Sequence, residues 1–431
     1  MKVVIIGNHA AGISAAETLR RGDASCQIVM ISTEDTPPYS RCLIPMLVSG
    51  EKSLREILYR PATFYDDMNI ETMFGVEAIR ILVKEKAVLL SDGRQIGYDF
   101  LIIANGGTPS LPRIPGIENE GVFGFRGLDD AQRIIEYCEN VEVVGVLGGG
   151  LVGLKAAVAL NKRGKKVKVI VGSPNVLSQI IGPHEAGIYE RYLSELGIEI
   201  MMRTNPAAVL GDGQVEGVES TEGLKIPCQM VVVGKGVDAN RALVHDTGIK
   251  TEYGVVVDDH CRTSVPDVYA AGDIAQSRDD VRARLWMNSL WPFAVEEGRV
   301  AAENVLGWDT TLRPRTSMNS FTVGELCLIT CGLTGAREEI EGAEEITTTG
   351  PGKNDGRRFV VKDNRLVGFA LVGDVRHAGV LTSLVTRGVD VSGIKDEIIT
   401  GRYSFSTILP LVRDNPGKFT APEYHEVLGS F

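Results

Sequence analysis

The sequence predicts an α/β chain in which two parallel, doubly wound units are followed by a smaller α+β unit. Three observations predict it. Short apolar runs ending at Ile6 and at Leu147 each lead into a glycine-containing turn and then into a segment of helical composition. In both places a second apolar run completes a strand–helix–strand unit of about 30 residues, the length such a unit needs. Beyond residue 312 strand-like runs continue, but no glycine turn of that kind recurs.

The elements follow in order. Residues 3–6 are wholly apolar, as expected of a strand buried on both faces of a parallel sheet. A turn at Gly7, a helix over 11–21 and a second buried strand over 27–31 complete the first copy. Residues 101–103 form a strand that ends sharply at Ala104-Asn105-Gly106, and the proline-rich stretch 109–115 reads as a linker. The second copy comprises a strand over 142–147, a turn over 148–153, a helix over 154–163 and a strand over 166–171. Residues 268–271 are another strand, ending in Gly272-Asp273, and 310–314 read as a second linker. The last unit offers strand-like runs at 320–330, 359–362 and 366–373 and a helix over 380–389. The expected units are 1–110 with 236–312, an inserted 111–235, and 313–431.

The chain has 431 residues, 44% of them hydrophobic, and a formal net charge of −11. That acidity argues against nucleic acid or an anionic membrane as partner, because both reward basic surfaces. Seven scattered cysteines form no disulfide framework and fit a reducing, cytoplasmic setting. The apolar start is too short for a signal peptide and is interrupted at Gly7-Asn8-His9. No run reaches the length of a membrane-spanning helix, so a soluble protein is expected. Histidine and cysteine spacings suggest neither a metal site nor an iron–sulfur cluster.

The glycine turns carry the first functional signal. A dinucleotide turn uses one glycine for the tight bend, one for close approach of the pyrophosphate and one for helix–strand packing. The mid-chain turn, Gly148-x-Gly150-x-x-Gly153 with Leu151 and Val152 between, matches in full. The first turn, Gly7-x-His9-x-x-Gly12, has histidine in the middle, and its pyrophosphate would rest at Ala11-Gly12 on the helix N-terminus. The acid expected on the ribose hydroxyls is Glu34, with Ser32 as accessory; the alternative is a plain loop carboxylate. After the second copy's next strand stands Val171-Gly172-Ser173, neither acid nor base. NAD is favoured over NADP, though NADP is not excluded, because no arginine is available in that loop for a 2′-phosphate.

With these turns in place, the chain resembles the pyridine nucleotide–disulfide oxidoreductase superfamily, particularly members without a paired CxxxxC. Those include NADH oxidases, coenzyme A disulfide reductases, rubredoxin reductases and the flavin module of nitrite reductases. Residues 263–273, ending in Ala270-Ala271-Gly272-Asp273, look like the family's second FAD motif, which implies that Asp273 meets the ribityl chain. Ala104-Asn105-Gly106 stands where the family has Ala-Thr-Gly beside the FAD pyrophosphate. Pro38-Tyr39-Ser40-Arg41 matches the loop that approaches the flavin, and Ala78 a position whose backbone meets adenine. Leu290-Trp291-Pro292-x-Ala294 resembles the start of the helix facing the flavin pyrimidine, where a positive dipole end suits reduced flavin. Gly236, where the chain returns to its first unit, is added to the cofactor-binding candidates. The resemblance implies a glutathione-reductase-like pair of Rossmann-like domains holding FAD and NAD, and a C-terminal domain that mediates subunit contact or covers the flavin.

Two residues between the sites carry the chemical question. Cys42 occupies the position of the single redox cysteine of NADH oxidases and coenzyme A disulfide reductases, although the family's following glycine is Leu43 here. A redox thiol would need a lowered pKa; the alternative is a buried thiol packed on the flavin. Lys155 stands where the family writes glutamate, and Met46 where some members place its partner lysine. It is predicted to stand near flavin N5 and stabilise the reduced anion, or else to extend into solvent. His9 is read either as an acid–base group or as a wider turn. Cys327 and Cys331 share one face of a strand, roughly 14 Å apart, too far to bridge.

Three functions compete. In the first, an FAD-dependent NAD(P)H oxidoreductase exchanges electrons with a redox protein or a partner electron-transfer subunit, as a homodimer or within a hetero-oligomer. In the second, Cys42 is a redox thiol and the acceptor is oxygen, peroxide or a small disulfide. In the third, the chain holds FAD without turnover.

Overall fold

The computed structural model describes residues 1–334 and 340–419. Its first sheet is entirely parallel, in the order Val268–Ala270, Phe100–Ile103, Lys2–Ile6, Gln27–Ser32 and Ile70–Phe74. Val3, Val4 and Ile5 are fully buried, because helices and loops cover both faces of the central strand. A strand from residue 268 onward thus completes a sheet begun at the N-terminus. The helix Ala10–Gly22 packs against Trp291–Val305. Their contact is set by Gly298, where an added β-carbon would lie 2.1 Å from the Ala11 carbonyl oxygen.

The second sheet is also parallel, in the order Glu199–Met201, Lys166–Ile170, Val143–Leu147, Met230–Val233 and Val122–Phe123. The helices Leu128–Cys138 and Leu151–Lys162 pack in its core. The two connections between the sheets lie side by side, as Gly107–Pro109 pairs antiparallel with Val237–Ala239. The stretch read as a linker therefore begins as one strand of a two-stranded crossover.

The last unit is a five-stranded antiparallel sheet, in the order Met318–Val323, Leu326–Gly332, Arg365–Val372, Gly356–Lys362 and Glu344–Thr349. The single run expected over 320–330 is a hairpin: Gly324, at φ 57°, turns the chain in a left-handed conformation. The expected helix is Ala378–Arg387, ended by Gly388 at φ 54°. Cys331 is buried beneath it, while Cys327 is half-buried on the same strand. Among the described residues no helix is long and apolar enough to cross a membrane.

Candidate dinucleotide sites and the cleft between them

The first turn is tight. Gly7 has φ 126°, and a β-carbon there would stand 2.1 Å from the Ala104 carbonyl oxygen. One on Gly12 would stand 2.0 Å from the Gly7 carbonyl oxygen. His9 caps the following helix with φ −130° and ψ −160°, and Gly150 caps the second with φ −83° and ψ −176°. Both are extended conformations open to any residue, so His9 fits without the wider turn considered for it. What changes is the cradle, which now contains an imidazole.

That imidazole is held from two sides. Its Nε2 lies 3.3 Å from Glu34 Oε2, and its ring meets Tyr39 edge-on at 4.9 Å between centroids. Burial, with the Arg41 charge, pushes His9 below its ordinary value despite the Glu34 carboxylate. Glu34 also accepts from Arg41 at 2.8 Å. Burial opposes the charge on Glu34, but hydrogen bonds from His9 and Tyr39 and the neighbouring cations outweigh it, drawing the carboxyl down to about 2. Glu34 is thus more than a plain loop carboxylate: both of its oxygens are already engaged by the protein.

One cavity of about 700 Å³ gathers most of the predicted residues: Gly7, His9, Ala11, Ser32, Glu34, Arg41, Cys42, Ala78, Ala104, Asn105, Gly106, Val152, Lys155, Gly272, Asp273 and Ala294. Gly12 lies under its floor against Gly7. Arg126, which the sequence reading missed, reaches in from the second unit and pairs with Asp273 at 2.7 Å. Its signal was slight, a lone arginine just before a helix start at Leu128. The Leu128 N–H donates to the buried Tyr39 hydroxyl at 2.9 Å, so the 38–42 loop is clamped between the units.

Around the second turn, Gly148 has φ 119°, and a β-carbon on Gly153 would stand 1.9 Å from the Gly148 carbonyl oxygen. A β-carbon on Gly150 would meet nothing within 4 Å, which leaves the approach to the helix N-terminus open. Leu151 begins that helix, and only Val152 and Lys155 of it reach the cavity. Gly236, at φ 101°, faces open space outside the cavity, as Gly150 does, whereas Gly234 packs on this turn, its β-carbon position 2.4 Å from the Gly153 α-carbon.

Cys42 sits in the short 3-10 helix Arg41–Leu43 and is exposed at the wall of the cavity. Arg41 turns its guanidinium to Glu34 rather than to this sulfur. Lys155 faces the cavity and not bulk solvent alone; its Nζ stands 5.9 Å above the ring of Phe321, a buried side chain of the C-terminal unit. At the opposite wall, Gly272 N–H donates to the buried Glu297 at 2.8 Å. Burial pushes Glu297 up to about 7, against the pull of Arg315 at 2.9 Å.

A profile of the pyridine nucleotide-disulphide oxidoreductase family matches residues 1–298. The chain belongs to this family. It is an FAD-dependent NAD(P)H oxidoreductase. It is 29% identical to an NADH oxidase of Methanocaldococcus jannaschii over 398 residues, covering 88% of this chain and 89% of that one. It is 30% identical to a rubredoxin-NAD(+) reductase of Pseudomonas putida over 312 residues, 72% of this chain and 81% of the other. An assimilatory nitrate reductase electron transfer subunit of Bacillus subtilis is 27% identical over 92% of this chain, which spans only 51% of that protein. Among solved structures, a NAD-dependent persulfide reductase from A. fulgidus superimposes with a TM-score of 0.84 at 26% identity, covering 92% of this chain and 79% of that one.

The cavity of this oxidoreductase fits FAD. Four buried polar atoms on its walls lack a partner: His9 Nδ1, Arg41 Nε, Asn105 Oδ1 and Arg126 Nε. Two are cationic donors, which suit phosphate oxygens, and two are acceptors, which suit hydroxyls. A ligand with a pyrophosphate and a polyol satisfies both kinds.

Proposed function

We propose that this oxidoreductase takes electrons from NAD(P)H and delivers them to a redox protein or a partner electron-transfer subunit. The observation that carries this reading is the single cavity lined from both units, with Val152, Lys155 and Arg126 of the second facing Ala104, Asp273 and Ala294 of the first. The rubredoxin reductase and the nitrate reductase subunit, similar over most of this chain, support an acceptor of protein nature. The same reading divides the chain at 1–110 with 236–312, 111–235 and 313–431. It gives the last unit the role of subunit contact or flavin cover, in a homodimer or a hetero-oligomer. Free cysteines throughout suit the cytoplasm.

Bound FAD supplies hydride acceptance and onward electron transfer. The chain's own residues bind and orient. The Gly7 and Gly12 turn presents the N–H groups of the helix at residues 10–12 to the pyrophosphate. Arg41 and Arg126 contribute charge, while Ser32 and Glu34 face the adenosine ribose and Ala78 its base. Ala104, Asn105 and Gly106 line the crossover, and Asp273 takes the ribityl hydroxyls. Gly272 and Ala294 bring the helix starting at Trp291 close to the ring system. Gly148, Gly150, Leu151, Val152 and Gly153 cradle the nicotinamide nucleotide. Lys155 places a cation where negative charge develops on reduction.

Anaerobic mixing with NADH tests the reading: rapid loss of flavin absorbance, slow return in air and fast return with a one-electron protein acceptor are expected. A protein reoxidised by air or peroxide as fast as by such an acceptor contradicts it. A second reading is favoured by one observation, the position of Cys42 at the wall of the cavity that Lys155 also lines. In it Cys42 is a redox thiol, and a long-wavelength band on partial reduction disappears in Cys42→Ser. The similarity to an NADH oxidase is compatible with it.

A further inference from the structure

The nicotinamide nucleotide is chosen at the end of the second strand of its sheet. An acid there accepts from the ribose 2′-hydroxyl of NAD, whereas a basic group accommodates the 2′-phosphate of NADP. In this chain the strand Lys166–Ile170 leads into Val171-Gly172-Ser173, without a charge. The fold brings one from elsewhere.

The neighbouring strand, Glu199–Met201, runs parallel and ends at the same edge. Val171 N–H donates to the Met201 carbonyl at 2.9 Å, and Thr204 N–H returns to the Val171 carbonyl at 2.9 Å. Arg203 N–H donates to the Ser173 carbonyl at 3.2 Å. The backbone of Arg203 is therefore fixed beside Ser173, 30 positions earlier in the sequence. Arg203 sits at φ 55°, a left-handed conformation unfavourable for any residue but glycine, and these bonds hold it there. Its side chain is exposed and makes no ion pair or hydrogen bond among the described residues.

The residues beside Ser173 are uncharged. The Asn205 amide oxygen lies 2.2 Å from where a β-carbon on Gly172 would stand, so an amide covers the place an acid would occupy. Ser173 Oγ donates to the Asn175 carbonyl, and the one carboxylate bonded to this loop, Glu190, accepts the Val176 N–H. Glu222 follows Thr221, whose N–H donates to the Asn205 carbonyl, and Arg203 is the exposed cation whose backbone is fixed at Ser173.

We infer that Arg203 is a specificity-determining residue that meets the 2′-phosphate of NADPH, and that the enzyme uses NADPH at least as readily as NADH. This deepens the proposed function and rests on it for the location of the nucleotide. It also revises the preference for NAD drawn from the absence of an arginine in the loop.

The test uses the full, FAD-loaded protein with ferricyanide as acceptor, and compares kcat/KM for NADPH and NADH. Binding of adenosine 2′,5′-bisphosphate and of adenosine 5′-monophosphate is measured alongside by calorimetry. The wild type is expected to show a kcat/KM for NADPH equal to or above that for NADH. Arg203→Ala is expected to lower the NADPH value and the bisphosphate affinity roughly tenfold, the worth of one charge-assisted contact, and to leave NADH and the monophosphate within about twofold. Arg203→Gly, which relieves the left-handed strain, keeps the protein folded and loses the same preference, and Arg203→Lys retains part of it. A wild type that strongly prefers NADH, or variants whose NADPH-to-NADH ratio and bisphosphate affinity are unchanged, overturns the inference. Failure of both nucleotides to reduce the flavin overturns the proposed function itself, so the two failures are distinguishable.

Discussion

Gly298→Ala is expected to damage cofactor binding from outside the cavity. The β-carbon it adds would stand 2.1 Å from the Ala11 carbonyl oxygen, 2.8 Å from its carbon and 3.0 Å from its α-carbon. Those atoms are helix backbone and have no rotamer to move away. Relief requires the helices Ala10–Gly22 and Trp291–Val305 to separate by about 1 Å, the gap between 2.1 Å and ordinary contact. Overpacking of this kind costs typically about 1–3 kcal/mol, and for a domain of this size each kcal/mol lowers the midpoint by about 2–4 °C. The displaced residue, Ala11, lines the cavity at the end of the first turn, so FAD content is expected to fall together with thermal stability. Differential scanning calorimetry and the 450 nm to 280 nm absorbance ratio measure both. The control is Gly379→Ala, at a helical glycine with nothing within 4 Å of its β-carbon; it should be neutral or gain up to about 1 kcal/mol. A Gly298→Ala protein with the wild-type midpoint and full FAD would refute the reasoning.

Three further outcomes follow from the site. Lys155→Met is expected to lower the flavin potential, because it removes a cation from the cleft; about 1 kcal/mol, or roughly 20 mV for a two-electron couple, is the scale, read by dye-linked reduction, and an unchanged potential contradicts the role given to this lysine. Glu34 ionises below its ordinary value of 4.5, at about 2 in the folded state, so it stabilises above pH 4.5 and that support is lost as pH falls through about 2. Its maximum worth is about 3 kcal/mol, and urea titrations of Glu34→Gln should show a flatter acid limb than the wild type; parallel limbs contradict it. Gly150→Ala should fold with a wild-type midpoint, since its β-carbon meets nothing, yet weaken NADH binding at the open helix N-terminus; an unchanged Kd for NADH argues against a nucleotide there.

What was legible in the sequence was local. The two turns were readable because strand, glycine spacing and helix lie within about 30 residues, and the structure places Gly7, Gly12, Gly148 and Gly153 in the tight contacts their spacing implies. Cys42 and Lys155 were legible as departures from a pattern, and both face the cavity. The unread part lies in contacts between distant segments. Arg126 reaches Asp273 across the crossover, Glu297 holds the Gly272 amide with Arg315 behind it, and Arg203 reaches Ser173 through the edge of a parallel sheet. None has a fixed spacing to its partner, because each pairing depends on how two strands or two units align. Gly234 belongs with these: its backbone packs on Gly153, and two glycines flanking one lysine look alike in a sequence.

The central claim is that one cleft brings nicotinamide and flavin together for hydride transfer. Stopped-flow mixing of the FAD-loaded protein with NADH and with NADPH under anaerobic conditions, followed at 450 nm, tests it most directly. The account predicts fast, saturable bleaching by nicotinamide nucleotide, slowed in Gly150→Ala and in Lys155→Met. A flavin that dithionite reduces but neither nucleotide bleaches would contradict it.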